Sequence, residues 1–233
     1  MKILAVDCSS SSLSICIAND DKILFNSYFN VKKTHSETIM PQIEYALDKA
    51  KYNIKDIDVF GVTVGPGSYT GLRIGVSTIK AFAHVTNKPI AAISSLKALA
   101  VSADDGSKYI CPILDARNDQ VYGALYSSNN YMLHSVIEDS AFSIDELISK
   151  TQSAASDESI VFIGDGALNH STKIKKAFGE KAIIANTYAS IIDAKNVAVL
   201  TKVCALNNNT INYLELEPKY LKKTQAEREL NNK

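Results

Sequence analysis

Cysteine and histidine, which most metal sites and disulfide frameworks need, are scarce in this sequence of 233 residues. The cysteines form no CxxC motif and stand far apart, at Cys8, Cys16, Cys111 and Cys204. This spacing indicates buried free thiols in a reducing cytosol rather than a zinc site or disulfides. No two histidines have the helical i, i+4 spacing; they are His35, His84, His134 and His170. We therefore expect no metal, and we recognise no base that would activate Cys8 or a serine as a nucleophile.

The chain also has no surplus of either charge and no long apolar run. Its 25 basic and 25 acidic residues give a formal net charge of zero. Proteins that grip nucleic acid alone usually carry a basic surplus, so we expect any nucleic-acid role to act through a partner. No apolar run approaches the ~18 residues of a membrane span, and the apolar run in the start MKILAVDCSSSS is too short for a secretory signal. These features predict a cytoplasmic globular protein of one or two domains, without a membrane segment.

The sequence does contain one order of elements that occurs twice. In the first half we predict strands at 2–7, 13–18 and 22–29, a helix after the capping box of Thr34 and Glu37, a strand at 59–64, a helix at about 71–86, a strand at 89–93 and a helix at 95–102. The second half repeats this order with strands at 109–114, 121–127 and 131–137, a helix from 143 toward 151, a strand at 159–163, a helix at 168–178, a strand at 182–185 and a helix at 193–206. We expect an N-terminal domain at 1–104, a C-terminal domain at 105–233 with a turn at 103–108 between them, and a frayed tail from Leu221.

This duplicated βββαβαβα order resembles the α/β layout of the actin-like ATPase superfamily, an RNase H-like (ASKHA) fold that binds ATP between its halves. The resemblance implies that an aspartate and small hydroxyl residues of the first hairpin face the phosphates, here Asp7, Ser9 and Ser10. Serines in a tight hairpin also satisfy their own backbone, which is the alternative interpretation. In the matching second hairpin the bulky Arg117 replaces small residues, so that loop cannot close tightly on a phosphate. We expect nucleotide binding to be weak or lost.

The glycine loop from Gly65 to Gly71 is the most conspicuous motif of the chain. A Walker loop would need Lys and Ser or Thr after the last glycine, but Leu72 and Arg73 follow it. A dinucleotide fingerprint would need GxGxxG after the first strand and an acid about 20 residues later, and neither is present. Two interpretations remain open: an anion site at a helix N-terminus, or a turn that joins strand and helix without a ligand.

The helix that follows this loop is apolar over much of its circumference, through Leu72, Ile74, Val76, Ile79, Phe82, Ala83 and Val85. A helix apolar nearly all round is buried on more than one side. On the preceding helix, Met40 lies off the main apolar stripe and would be exposed in a monomer. The pattern fits an interface with another subunit and burial within the chain equally well.

Several long stretches of the chain together resemble the TsaB family, also called YeaZ. They are ILAVDCSSSSLSICI at 3–17, THSETIMPQIEYAL at 34–47, GVTVGPGSYTGLRIGVSTIKAFA at 61–83, ISSLKALA at 93–100, ILDARNDQVYGALY at 113–126 and EPKYLKK at 217–223. GPGSYTGLRIG and ILDAR are highly specific in this order. The ending Leu221-Lys222-Lys223 departs mildly from the family's usual Tyr-Leu-Arg.

This resemblance implies a noncatalytic subunit that binds and activates TsaD, the enzyme that transfers threonylcarbamoyl to the adenosine beside the anticodon of ANN-decoding tRNAs. TsaD carries a helical metal-binding His pair, and Ile39 stands at the matching second position here. The resemblance further implies a TsaD heterodimer joined by the ATPase TsaE, tRNA contact through the complex, and a homodimer through the same helices. It implies no required cofactor, with weak ATP or ADP binding at the level of the complex. The predicted interface residues are His35, Glu37, Met40, Ile43, Leu72, Gly75, Val76, Ile79 and Phe82.

Two other functions remain as alternatives. The fold, with Asp7, Ser9 and Ser10, is also typical of an independent actin-like ATPase or small-molecule kinase. A peptidase, which older names for relatives suggest, would need a nucleophile–base pair or a metal, and we can assign neither.

Overall fold

A computed structural model describes residues 1–30, 34–103, 107–129, 132–155 and 158–222, which form two five-stranded sheets with helices. The first half contains β1 (Lys2–Asp7), β2 (Leu13–Asn19), β3 (Lys22–Phe29), α1 (His35–Ala50), β4 (Val59–Gly65), α2 (Tyr69–Thr86), β5 (Ile90–Ser94) and α3 (Ser95–Val101). Its strands lie in the order β3-β2-β1-β4-β5. Strand β2 pairs antiparallel with both β1 and β3, and β4 and β5 continue the sheet from β1 in parallel.

The second half repeats this arrangement, which confirms the predicted duplicated actin-like fold. It contains β6 (Tyr109–Asp115), β7 (Gln120–Asn129), β8 (Met132–Ser143), α4 (Ile144–Ala155), β9 (Ile160–Ile163), α5 (Asp165–Asn169), α6 (Ser171–Phe178), β10 (Ala182–Ile184) and α7 (Ala194–Leu206). The sheet order β10-β9-β6-β7-β8 is that of the first sheet read from the other edge.

Two elements of the second half differ from their prediction. The helix predicted at 168–178 is two helices, because His170 leaves the helical region (φ −106°, ψ 15°) between them. Strand β8 continues to Ser143, where it pairs with Gln120, although polar residues at 138–140 interrupt its apolar pattern. The predicted start of this strand, Tyr131, and its turn residue Asn130 lie outside the described residues.

The two halves share their cores, because each packs a helix on the sheet of the other. Helix α7 lies against β1, β2, β4 and β5, while α3 contacts β6 and β7 of the second sheet. Gly61 of β4 makes this approach possible, since a Cβ at that position would overlap the Thr201 side chain of α7. The predicted domain boundary at residues 104 and 105 lies outside the described residues. Helix α7, which the prediction assigns to the C-terminal domain, packs on the first sheet.

The segment after α7 returns to the first half. The backbones of Ile211 and Ile90 exchange hydrogen bonds of 2.8 and 2.9 Å, and Leu216 is buried in the core beneath α1 and α2. Most of the tail predicted to fray, residues 223–233, lies outside the described residues. Within the described part of the chain, no helix is long and apolar enough to cross a bilayer.

Helix α2 is buried on one side, so the prediction of burial on two sides is wrong for the chain alone. The side toward β1 and β4 carries the buried residues Gly71, Leu72, Gly75, Val76, Ile79 and Ala83. The opposite side exposes Arg73, Ser77 and Val85. Ile74 and Phe82 are only half-buried at the edges of the stripe. Of the apolar residues outside the buried stripe, Ile74 and Phe82 therefore lie at its margins, and Val85 is exposed.

Because Ile79 lies in the chain's own core, we expect Ile79→Ala to lower the free energy of unfolding by about 2–5 kcal/mol. Val85 on the same helix is 77% exposed, so Val85→Ala should change it by less than about 0.5 kcal/mol. Urea unfolding of both variants measures the difference. Equal effects of the two substitutions would contradict the one-sided burial of α2.

Candidate functional site

A cleft with a volume of about 650 Å³ lies between the two halves. One lip comes from the first half, and consists of the serines after β1 and the turn at the start of α2: Ser9, Ser10, Ser11, Gly67, Ser68, Tyr69 and Thr70. The other lip comes mainly from the end of β6 and its neighbours: Leu114, Asp115, Ala116, Arg117, Tyr122, Asp165 and Ile192. Of the predicted phosphate-facing residues, Ser9 and Ser10 line the cleft, and Asp7 is fully buried at the end of β1.

The Asp7 carboxylate is engaged by its own half. Its Oδ1 accepts hydrogen bonds from the Ser9 backbone N–H at 3.1 Å, from Ser9 Oγ at 2.6 Å and from Thr63 Oγ1 at 2.6 Å. Its Oδ2 is buried without a partner among the described residues. Burial raises the pKa of Asp7, and the bonds from Ser9 and Thr63 oppose that rise. The carboxylate thus joins the first hairpin to β4.

The neighbouring hydroxyls bond within the same loop. Ser10 Oγ and Ser12 Oγ are 2.6 Å apart, and the Ser10 carbonyl lies 2.9 Å from His35 Nε2 of α1. Ser9 is buried, and Ser11 is exposed to the cleft. These contacts agree with the interpretation that the serines satisfy their own hairpin.

The glycine turn is packed directly on this hairpin. The Ser68 N–H donates to the Ser9 carbonyl at 2.7 Å, and Ser68 Oγ accepts from the Gly71 N–H at 3.2 Å. A Cβ at Gly67, whose φ is +158°, would overlap the Ser9 carbonyl, and one at Gly71 would overlap the Cys8 carbonyl. Two of the N–H groups that an anion would need at the start of α2 therefore already bond to protein oxygens.

The second lip carries charges of both signs. Asp165 Oδ1 accepts from the backbone N–H groups of Asp115 at 2.9 Å and Gly166 at 2.8 Å, and Asp115 Oδ1 accepts from the Arg117 N–H at 2.7 Å. Two carboxylates and one guanidinium line this side of the cleft. The carboxylates are thus engaged by backbone N–H groups of their own lip.

The thiols are in their protonated form at neutral pH. Burial raises the pKa of Cys8 well above its ordinary value, and it raises the pKa of Cys16 and Cys111 to about 12. Protonated buried thiols are poor nucleophiles. In the described ranges, no three His, Cys, Asp or Glu side chains come together as a metal site would require.

A second cavity, with a volume of about 670 Å³, opens on the outer surface of the first half. We call it the α1–α2 groove; its lining residues are Met40, Pro41, Ile43, Glu44, Leu47, Asp48, Tyr52, Asn53, Ile54 and Phe82. Met40 is 50% exposed, and Phe82 is half-buried against Phe60 with ring centroids 6.3 Å apart. Glu44 and Asp48 are exposed. An open apolar groove with a charged rim is typical of a site that binds another helix.

The structure brings three of the predicted interface residues, Met40, Ile43 and Phe82, into this groove. The others lie elsewhere. His35 contacts Ser10 at the start of α1. Glu37 is exposed and closes the capping box, with its Oε2 accepting from the Thr34 backbone N–H at 3.1 Å. The remaining four are buried residues of α2: Leu72, Gly75, Val76 and Ile79. Ile43, which also lines the groove, is buried on α1.

Sequence reasoning did not find Tyr52 and Ile54, which close one end of the groove. They follow the last turn of α1, where Lys51 adopts a left-handed conformation (φ 59°) and Ile54 begins a short 3₁₀ turn. The sequence contained a signal for them, because two large apolar residues directly after an amphipathic helix often pack back on that helix.

The chain matches the family model described as TsaD: tRNA N6-adenosine threonylcarbamoyltransferase over residues 23–230. It is 31% identical to the tRNA threonylcarbamoyladenosine biosynthesis protein TsaB of Bacillus subtilis, over 97% of this chain and 96% of that protein. It is 25% identical to TsaB of Haemophilus influenzae, over 95% of this chain and 94% of that protein. A Pseudomonas aeruginosa structure described as similar to peptidase YEAZ superposes with a TM-score of 0.82 at 21% identity, covering 95% of this chain and 99% of that one. The last likeness concerns the fold alone.

The buried carboxyl group of Asp7 makes stability depend on pH. Because its folded pKa lies above the ordinary value of 3.8, the parent chain loses stability as pH rises from that value through the folded pKa. Asp7→Asn keeps an acceptor for Ser9 and Thr63 and does not ionise. We expect its free energy of unfolding, relative to that of the parent, to increase with pH over this window and then to stay level.

Urea unfolding from pH 4 to 8 measures this difference. Asp119→Asn, at an exposed residue, is the matched control and shows how much the loss of one exposed carboxyl group changes the same difference. An Asp7→Asn difference that falls with rising pH would contradict the burial penalty on the carboxylate.

Proposed function

We propose that this chain, which belongs to the TsaB family of tRNA threonylcarbamoyladenosine biosynthesis proteins, is a noncatalytic partner subunit that binds and activates the threonylcarbamoyltransferase TsaD. Its family assigns it to the biosynthesis of this modified nucleoside. The substrate of the whole pathway is tRNA, and a chain with zero formal net charge would reach it through the complex. The single observation that carries the partner role is the open α1–α2 groove.

The shared ancestry with TsaD supports helix-to-helix docking at this groove. The TsaD family model matches residues 23–230, a range that contains both α1 and α2. The partner is therefore expected to present two helices of the same geometry, and helices pack by inserting side chains of one into the grooves of the other. Met40 and Phe82 would be the apolar anchors. A second copy of this chain would fit the same groove when TsaD is absent.

The state of the cleft supports the noncatalytic part of the proposal. Asp7 Oδ1 and the N–H groups of Ser68 and Gly71 are bonded within the protein. We propose that the subunit requires no cofactor, that ATP or ADP binds weakly and at the level of the complex, and that the ATPase TsaE joins the assembly.

The cleft itself favours one alternative, an independent actin-like ATPase or small-molecule kinase. A volume of about 650 Å³ is within the range of small-molecule sites. This function requires nucleotide turnover by the isolated chain, and turnover should be lost in Asp7→Ala. A peptidase function has less support, because the buried thiols are protonated and His35 Nε2 contacts the Ser10 carbonyl.

The experiment that tests the proposal is reconstitution of tRNA modification from purified TsaD, TsaE, tRNA and the threonylcarbamoyl-adenylate-forming enzyme. Reactions with and without this chain are followed by mass analysis of the nucleosides. We expect modification only with the chain present. Equal modification in its absence would contradict the partner role.

We expect Met40→Glu to weaken binding to TsaD by about 30-fold or more, since burying an unpaired charge at an interface costs about 2 kcal/mol or more. Val199→Glu is the matched control, because Val199 is 51% exposed on α7, far along the chain from the groove. Calorimetric titration measures both affinities, and thermal melting checks that both variants stay folded. Unchanged binding of Met40→Glu, or a larger loss in Val199→Glu, would show that TsaD binds elsewhere.

A further inference from the structure

Residues 217–222 form a segment, which we call the strap, that connects the two lips of the cleft. It begins after Leu216, which is 1% exposed in the core of the first half. The Lys219 N–H then donates to the Val64 carbonyl at the end of β4 at 2.7 Å. A Cβ at Gly65 would lie 2.5 Å from the Lys219 carbonyl, so the strap passes close over the glycine turn. The first part of the strap is therefore fixed to the first half.

The middle of the strap contacts the first lip through Tyr220. Its ring stacks on Tyr69, with centroids 4.5 Å apart, and its hydroxyl accepts a hydrogen bond from Arg73 Nε at 3.1 Å. The Arg73 guanidinium also lies 4.0 Å above the Tyr69 ring. Stacked aromatic and cation–π contacts hold a side chain in place even where water has access. Tyr69 is one of the residues that line the cleft.

The end of the strap contacts the opposite lip through Lys222. Its Nζ donates to the Ala116 carbonyl at 2.7 Å and lies 3.4 Å from the Arg117 carbonyl, and the ammonium is 5.6 Å from the Tyr122 ring. All three of these residues line the second lip. Arg117, Asn118 and Asp119 follow one another with φ between 54° and 58°, and this turn brings two carbonyl oxygens toward one ammonium group.

We propose that the strap is a latch that holds the cleft closed without a bound ligand. The two halves share a core through α3 and α7, and the strap supplies a separate, largely polar link between the lips. Polar contacts at a surface break far more readily than core packing. The lips therefore separate when the contacts of Lys222 and Tyr220 break, while the shared core stays intact. The strap then sets the distance between the two lips. This inference is independent of the partner function of the α1–α2 groove.

The distance between the lips tests the latch in the full chain. Spin labels attached through Ser11→Cys and Gln120→Cys report it, in a background with Cys204→Ser because Cys204 is the thiol that is not fully buried. Pulsed dipolar spectroscopy then compares the parent with the strap variant Tyr220→Ala/Lys222→Met. We expect the distance distribution of the strap variant to shift to longer values and to broaden, with the open population rising about tenfold.

The control variant Tyr188→Ala/Lys175→Met removes the same side chains from exposed positions of the second half. Its distribution should match that of the parent. If the strap variant melts at a much lower temperature, Lys222→Met alone is used, because it removes only the ammonium group and keeps the apolar stem. A strap variant, double or single, whose distance distribution equals that of the parent overturns the proposal, and so does an equal shift in the control.

Discussion

The contact between the first hairpin and the glycine turn is the constraint on which both cavities depend. The Ser9 carbonyl accepts the Ser68 N–H at 2.7 Å, and Gly67 and Gly71 allow the backbones to approach this closely. On one side of this junction the serines form the first lip of the cleft. On the other side it fixes the direction of α2, which contributes Phe82 to the α1–α2 groove. Asp7 reinforces the junction by bonding to both Ser9 and Thr63.

Asp7 and the N–H groups at the start of α2, which would face a nucleotide in an actin-like ATPase, thus have structural roles in this chain. The Oδ1 atom of Asp7 accepts three hydrogen bonds from the protein, and the Ser68 and Gly71 N–H groups bond to a carbonyl and a hydroxyl, while Asp7 Oδ2 has no partner among the described residues. The cleft has a volume of about 650 Å³, and its second lip carries charges of both signs. Met40 of α1 and Phe82 of α2 line the open α1–α2 groove. An accessible apolar groove of this kind fits the proposed binding subunit.

Local patterns predicted the fold well, because each half repeats the same run of strands, turns and capped helices. The capping box of Thr34 and Glu37 is formed as predicted. Such local patterns do not predict contacts between segments that are far apart in the chain. The sequence of α7 alone does not show that this helix packs on the first sheet. The close packing depends on Gly61 lying opposite Thr201, and these two residues are far apart in the chain. The same holds for Tyr220 and Lys222 at the cleft. The prediction that α2 is buried on two sides was wrong, because sequence periodicity does not show how much of the apolar surface of a helix its neighbours cover.

Amide hydrogen exchange of the chain with and without purified TsaD would locate the contact surface without any substitution. We expect TsaD to slow exchange in α1, in the 3₁₀ turn at Ile54–Asp56 and in the last two turns of α2, around the α1–α2 groove. Protection confined to the cleft lips or to the second sheet, with the groove unchanged, would contradict this expectation.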